Sequence, residues 1–269
     1  MTPAVPPPRK RLGQHFLIDP NITRKIVALA AIRPEETVLE IGPGRGVLTR
    51  QLCAAAQRVI ALELDPKLGA YLAETLADCR NLDLRLGDAL GFSYGTLPQG
   101  TVVVANLPYY VSTPLLFTLL EARQRIDRMV LMLQTEVARR LVAKPATSDY
   151  GILSVLVQYA AETSFAFQVS ASCFRPSPEV GSAVVNLAIR RQSPVQVKDE
   201  ALFAEVVRAA FAHRRKTLSN SLRDEGLSSE QIAQALVHVK IGPSRRAETL
   251  TLEEFVSLAN ALGQASARA

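Results

Sequence analysis

The chain has 269 residues, 48% of them hydrophobic, and carries 31 Lys and Arg against 25 Asp and Glu, for a formal charge of +6. That length buries a full core and suits one large domain with a small appendage, and the basic balance points to an anionic partner such as nucleic acid. Three scattered cysteines (Cys53, Cys79, Cys173) and three dispersed histidines (His15, His213, His238) give neither a disulfide framework nor metal-ligand spacing, so reduced cysteines and no metal are expected.

The N-terminal segment is proline-rich over Met1 to Pro8 and turns basic at Arg9-Lys10-Arg11. It has neither the apolar core of a signal peptide nor the length of a membrane span, which predicts a cytoplasmic protein without a membrane partner. Asp19-Pro20 reads as a helix start, giving an arm and capping helix over 1–33. From Pro34, short β-branched runs alternate with helix-period stretches. Thr37 to Ile41, Arg58 to Leu64, Leu82 to Leu86, Thr101 to Ala105 and Arg128 to Leu133 are predicted strands, with helices over Val47 to Ala56 and Leu68 to Leu76 among them. This alternation predicts a parallel, doubly wound α/β sheet that binds ligands at the carboxyl ends of its strands. A helical stretch around Tyr150 to Tyr159 and a closing hairpin, Thr163 to Val169 with Ser182 to Ile189, complete a Rossmann-like domain over 34–190. A polar linker follows over 191–199. Helical spacing in Ala201 to Phe211, Ser229 to Val237 and Leu252 to Leu262 predicts a small all-helical domain over 200–269.

Four successive strand ends supply groups suited to one ligand. Glu40-Ile41-Gly42-Pro43-Gly44-Arg45-Gly46 stands where the first strand turns into a helix, and its glycines let the backbone approach a bound molecule. Glu63 ends the second strand about twenty positions later, where a carboxylate can accept from both hydroxyls of a ribose. Asp88 follows the third strand and can accept from an adenine amine. The fourth strand delivers Asn106-Leu107-Pro108-Tyr109. An adenine N6 amine is a poor nucleophile because its lone pair is delocalised into the ring. Two acceptors, the Asn106 side chain and the Leu107 carbonyl, restore its tetrahedral character, Pro108 stiffens the turn, and Tyr109 stacks on the base. A dinucleotide dehydrogenase accounts for the glycine turn and Glu63 but gives the Asn-Leu-Pro-Tyr turn no role. S-adenosylmethionine beside a target amine accounts for all four.

Leu12-Gly13-Gln14-His15-Phe16-Leu17, Glu40 to Gly46, Glu63-Leu64-Asp65, Gly87-Asp88-Ala89, Asn106 to Tyr109 with Ser112-Thr113-Pro114, Tyr150-Gly151, Phe174 to Pro178 and His213 to Leu218 together resemble the ribosomal RNA small-subunit (16S) adenine N6,N6-dimethyltransferase family over nearly the whole chain. The resemblance implies a class I S-adenosylmethionine-dependent methyltransferase. It implies donor contacts from His15, Leu17, Gly42, Glu63, Asp88 and Asn106, and a target adenine sandwiched by Tyr109 and Phe174. The implied substrate is a pair of adjacent adenosines in the 3′-terminal hairpin loop of small-subunit rRNA, in an assembling 30S particle, with the protein acting as a monomer without an obligate protein partner. The chain departs from the family at His15, where asparagine is usual, and at Glu179 and Gly181. Basic clusters at Arg9-Lys10-Arg11, Arg139-Arg140 with Lys144, Arg190-Arg191, Arg214-Arg215-Lys216 and Arg245-Arg246 suggest a surface that tracks the RNA backbone. Two alternatives stay open: a large-subunit (23S) rRNA adenine methyltransferase of the antibiotic-resistance type, and a non-catalytic RNA-binding assembly factor. Pro43, Leu107 and Arg246-Ala247-Glu248 resemble the small-subunit branch more closely than the first. The intact set Glu63, Asp88, Asn106 and Tyr109 argues against the second.

Overall fold

The computed structural model describes residues 4–9, 12–192, 195–213 and 215–266. Lys10, Arg11 and Arg214 of the expected basic clusters, and 193–194 of the expected linker, lie outside the described residues. The chain divides into two compact units, 1–138 with 163–189 and 139–162 with 190–269.

Strand β1 (Phe16–Leu17) leads into helix α1 (Pro20–Ala30), and helices α2 (Val47–Ala55), α3 (Pro66–Thr75), α4 (Ser112–Glu121) and α5 (Thr135–Val142) follow in chain order among the strands. Helix α1 starts where the sequence predicts. Asp19 accepts from the Asn21 N–H at 2.8 Å, and Pro20 fills a first-turn position that needs no donor. Strands β2 (Thr37–Ile41), β3 (Arg58–Glu63), β4 (Leu82–Leu86), β5 (Thr101–Asn106) and β6 (Ile126–Gln134) pair in parallel. Beyond them come β7 (Ala161–Val169), the short β8 (Phe174–Arg175) and β9 (Ser182–Ile189), which runs antiparallel to β6. The seven-stranded order is β4-β3-β2-β5-β6-β9-β7. The predicted doubly wound sheet and its closing hairpin are therefore present, with an antiparallel strand added beside the parallel core. Near-continuous Val and Leu in the central strands, such as fully buried Val102-Val103-Val104, reflect a sheet covered on both faces.

The chain builds outward from β2 through β3 and β4, then returns to the other side of β2 with β5 and β6. The order thus reverses between β2 and β5, and a ligand crevice opens at the carboxyl ends beside such a reversal. The segments leaving those two strands are the glycine turn and the Asn-Leu-Pro-Tyr turn. Away from the crevice, Arg128 clamps the carboxylate of Glu36 with bonds of 2.9 and 2.7 Å and donates to the carbonyls of Ala30 and Ala31 at the end of α1. Hydrogen bonding from Arg128, with further help from Arg33, holds the Glu36 carboxyl down at about 2.

The second unit joins helix α6 (Ile152–Ala160) to α7 (Glu200–Phe211), α8 (Leu218–Asp224), α9 (Ser229–His238) and α10 (Leu252–Ser266). Its core contains Tyr150 and Val155 together with Phe203, Val206, Leu222, Leu236 and Phe255. The Tyr150 hydroxyl donates to the Leu250 carbonyl at 2.9 Å, and the Phe211 and Phe255 rings stack at 5.6 Å. The chain passes between the units at 189/190, as the sequence predicts, but the extent of the first domain is corrected. Residues 139–162 leave the predicted Rossmann-like segment because Ala143, Tyr150 and Val155 find their apolar partners among the later helices. Several expected RNA-facing cations are also engaged within the chain. Arg245 pairs with Glu254 and donates to the Thr249 carbonyl, Lys216 pairs with Asp224, and Arg9 pairs with Asp65 at 3.1 Å. No helix among the described residues is long and apolar enough to cross a membrane. The three cysteines are free thiols.

Candidate active site

The crevice forms a cavity lined by the N-terminal segment around His15 to Leu17, the turn after β2, the ends of β3 and β4, and Asn106 to Val111. The turn can take this shape because Gly42, Gly44 and Gly46 have φ of 71, 58 and 77°, a region where side chains are strained. Gly44 is also tightly covered. A Cβ there would lie 3.0 Å from the Phe16 ring, which itself packs under the Arg45 guanidinium at 4.5 Å. β1 and the glycine turn therefore form one wall.

Glu63 closes the end of β3. It is buried, one carboxylate oxygen accepts from the Gly44 N–H at 3.2 Å, and the other accepts from the Asp65 N–H at 2.8 Å. Burial raises the Glu63 carboxyl above its ordinary value, against these hydrogen bonds. Neighbouring Glu40 is fully enclosed, and burial, reinforced by the charge of Glu63, pushes its carboxyl up to about 8. Glu40 Oε2 is buried without a hydrogen-bond partner among the described residues. Asp88 is exposed and caps the short turn Ala89–Gly91 by accepting from the Leu90 N–H at 2.9 Å, which leaves acceptor capacity on its carboxylate.

Asn106 ends β5 between the two walls. Its Nδ2 donates to the His15 carbonyl at 3.5 Å, so Oδ1 remains as the outward acceptor. The Leu107 N–H donates to the Met132 carbonyl at 3.1 Å, tying the acceptor turn to β6. The Tyr109 hydroxyl hydrogen-bonds Ser182 on β9, which anchors the far end of its ring. The His15 imidazole stacks on that ring, with centroids 5.8 Å apart and planes 25° from parallel.

Nine of the ten expected site residues thus line one cavity: His15, Leu17, Gly42, Glu63, Asp88, Asn106, Leu107, Pro108 and Tyr109. Phe174 is the correction. It is 0% exposed, packs in the core with Leu17, Ile22, Val169 and Val184, and is not among the residues that line the cavity. The cause is the β1–β8 pairing, which sets Leu17 opposite Phe174 and turns the Phe174 side chain inward. Tyr110, which lines the mouth at 53% exposure, and the enclosed Glu40 were not anticipated as site residues. Glu40 had a legible signal, since it directly precedes the glycine turn. No group of three or more His, Cys, Asp or Glu that could hold a metal occurs among the described residues.

Residues 7–264 match the family model described as ribosomal RNA adenine dimethylase. The chain is 48% identical to the ribosomal RNA small subunit methyltransferase A of Moorella thermoacetica over 95% of its own length and 92% of that protein. It is 47% identical to the protein of the same name from Geobacillus kaustophilus, over 94% and 90% of the two chains. Among solved structures, a dimethyladenosine transferase from Plasmodium falciparum superposes with a TM-score of 0.81 at 27% identity, covering 93% of this chain and 98% of that one. The 23S rRNA methyltransferase ErmE superposes with a TM-score of 0.72 at 28% identity, covering 93% and 100%. With a class I methyltransferase sheet, a four-strand ligand cavity and this extent of similarity, the chain belongs to the ribosomal RNA adenine dimethylase family.

Proposed function

We propose that this protein transfers methyl groups from S-adenosylmethionine to the N6 amines of two adjacent adenosines in the 3′-terminal hairpin loop of small-subunit (16S) rRNA. It does so in the cytoplasm, on an assembling 30S particle, as a monomer. The observation that carries the reading is the meeting of the glycine turn, Glu63 and the Asn106 to Tyr109 turn in a single cavity.

The cavity's own chemistry fits the donor. Three positive-φ glycines open the wall to a ligand, Glu63 presents a buried carboxylate beside them, and Glu40 Oε2 lies in the same wall without a protein partner. In this reading the Glu63 oxygens, each holding one backbone N–H, keep lone pairs for the ribose hydroxyls. Asp88 accepts from the donor's adenine amine, and the backbone of His15, Leu17 and Gly42 with the Asn106 side chain completes the lining. When bound, S-adenosylmethionine supplies an electrophilic methyl group on a sulfonium.

The chain's contribution to the reaction is positioning and polarisation. Asn106 Oδ1 and the Leu107 carbonyl accept the two N–H groups of the target amine. Its nitrogen lone pair is then turned out of the ring and towards the donor side of the cavity. Tyr109, held at its hydroxyl by Ser182, fixes the plane of the base. Asn106 is a neutral acceptor in a cavity that already holds the buried acids Glu40 and Glu63, so the amine is bound without adding a further acid to the site. The alkylated nitrogen releases its proton to water, and no dedicated base is required.

The 48% identity to small-subunit enzymes, together with Pro43 and Leu107, favours the small subunit over the large-subunit reading that the likeness to ErmE raises. The test is incubation with radiolabelled S-adenosylmethionine and either undermethylated small subunits or isolated large subunits, followed by nucleoside mapping. Dimethyladenosine in the 3′-terminal hairpin of the small subunit is the expected product. Label confined to the large subunit overturns the reading, as does particle binding without any transfer.

A further inference from the structure

Several cations that stand in clusters along the sequence are spent inside the second unit: Arg245 holds Glu254, Lys216 holds Asp224 and Arg246 reaches Glu248. Three others, scattered in sequence, meet in space. Lys198, His238 and Lys240 line one open cleft of that unit together with Ser257, Asn260 and Gln264 of α10. No acid is among its lining residues. The side chains of Lys198, His238, Lys240, Ser257 and Gln264 make no hydrogen bond or ion pair among the described residues. We infer that this cleft is a binding site for a backbone phosphate of the RNA, built from other residues than the cavity of the first unit. This rests on the reading of the protein as an RNA methyltransferase.

Three observations carry it. Cations joined by hydroxyl and amide donors, with no carboxylate to satisfy them, are the set that a phosphate's oxygens require. The cleft is also held in shape. Asn260 accepts from the Lys198 N–H at 3.0 Å and donates to the Gln196 carbonyl at 2.9 Å, which fixes the segment before α7 against α10. Finally, Lys240 stands at the left-handed position that ends α9, with φ of 58°. There its N–H and that of Ile241 donate to the carbonyls of Val237 and Leu236 at 3.2 and 2.9 Å. Glycine fits such a position without strain, yet the chain places there a lysine whose ammonium serves nothing among the described residues. The end of a helix accounts for His238, because a cation is favourable in a last turn. It accounts neither for Lys198, which comes from another segment, nor for lysine in glycine's place.

The test measures binding of the full-length protein to undermethylated small subunits over a series of KCl concentrations. The double variant Lys198→Gln, Lys240→Gly binds roughly 10-fold more weakly, and its slope of log affinity against log salt falls by about 1 to 2. Lys240→Gly alone loses part of both while its thermal midpoint rises, since glycine relieves the left-handed position, so the loss is not one of folding. Lys25→Gln, which removes a lysine of the first unit, leaves affinity and slope at the wild-type values. Affinity for S-adenosylhomocysteine by calorimetry is the same in all of them. A Lys240→Gly protein that gains stability and keeps wild-type affinity and slope overturns the inference, for the cations are then only a solvated face. Equal losses in Lys240→Gly and Lys25→Gln overturn it as well, because net charge alone then matters. Inorganic phosphate that shifts the His238 ring resonances, with no change of slope on the particle in the double variant, assigns the cleft to a small free anion and also overturns it. Product mapping decides the reaction separately: a protein that transfers no methyl group but shows the lysine-dependent slope loses the proposed function and keeps the cleft.

Discussion

Phe174 offers the sharpest test of how this structure divides core from site. Its ring is fully buried, set opposite Leu17 by the β1–β8 pairing, and surrounded by Ile22, Val169 and Val184. Truncation to alanine removes most of a buried ring from a close-packed site, and such changes cost about 3–5 kcal/mol. For a unit of this size that corresponds to a fall of roughly 6–20 °C in the midpoint of thermal unfolding. Phe174→Leu conserves most of the apolar volume and costs less than about 1.5 kcal/mol. Urea and thermal unfolding followed by circular dichroism give both values, and methylation of undermethylated small subunits is measured on the same preparations at a temperature where each variant is folded. The expected pattern is a badly destabilised alanine variant and a leucine variant with near-wild-type stability and turnover. A leucine variant that folds normally but has lost turnover refutes the burial argument, because only the aromatic face then matters.

Asn106→Ala abolishes transfer while leaving affinity for the ribosomal particle nearly intact, since Asn106 acts on the amine and not on phosphates; a matching loss in a filter-binding assay shows that it is structural. Gly44→Ala forces a side chain into a φ of 58° and sets its Cβ 3.0 Å from the Phe16 ring, so calorimetric affinity for S-adenosylhomocysteine falls at least about tenfold; unchanged affinity excludes the turn from the donor site. Glu36, held at about 2 against an ordinary value of 4.5, contributes about 3 kcal/mol that is fully present above pH 4.5 and is lost as pH falls towards 2. Arg128→Met leaves the buried Glu36 carboxylate with Arg33 as its one remaining cation among the described residues and costs about 1–3 kcal/mol at neutral pH. It also flattens the acid limb of the stability profile, and an unchanged limb in urea titrations between pH 5 and 2 contradicts the clamp.

What the sequence displays and what it conceals follow from how local each signal is. The strands from Thr37 to Leu133 are legible because a sheet buried on both faces demands unbroken β-branched runs. The residues at their carboxyl ends are legible because glycines, a proline and isolated acids stand out against such runs. Helix α4 (Ser112–Glu121) is hidden because it is apolar almost all round and carries Pro114 in its first turn, so it shows no amphipathic stripe. The placement of Phe174 depends on a partner strand far away in sequence, and a phenylalanine in a Ser-Pro-rich loop looks alike whether it faces a cavity or a core. The same holds for 139–162. Its helical pattern is readable, but nothing in Tyr150 or Val155 announces that their apolar neighbours are Phe203 and Phe255.

The electrostatics of the cavity explain why its acceptor is an amide. Glu40 and Glu63 are both buried in one wall. Burial raises both carboxyls, and the charge of Glu63 helps to push Glu40 up to about 8, so near neutral pH Glu40 is largely protonated. A carboxylate at position 106 would stand in this company and compete for the same scarce protons, and a protonated acid there would donate a hydrogen bond where the target amine needs an acceptor. Asn106 avoids both outcomes. Its Oδ1 is an acceptor at every pH the protein experiences, and the His15 carbonyl keeps it pointed outward by engaging Nδ2. In the proposed function the acids then serve the donor's hydroxyls and amine, while the target base meets a neutral group whose amide nitrogen is engaged by the His15 carbonyl. His15 links these parts of the cavity, since its carbonyl engages Asn106 and its ring stacks on Tyr109.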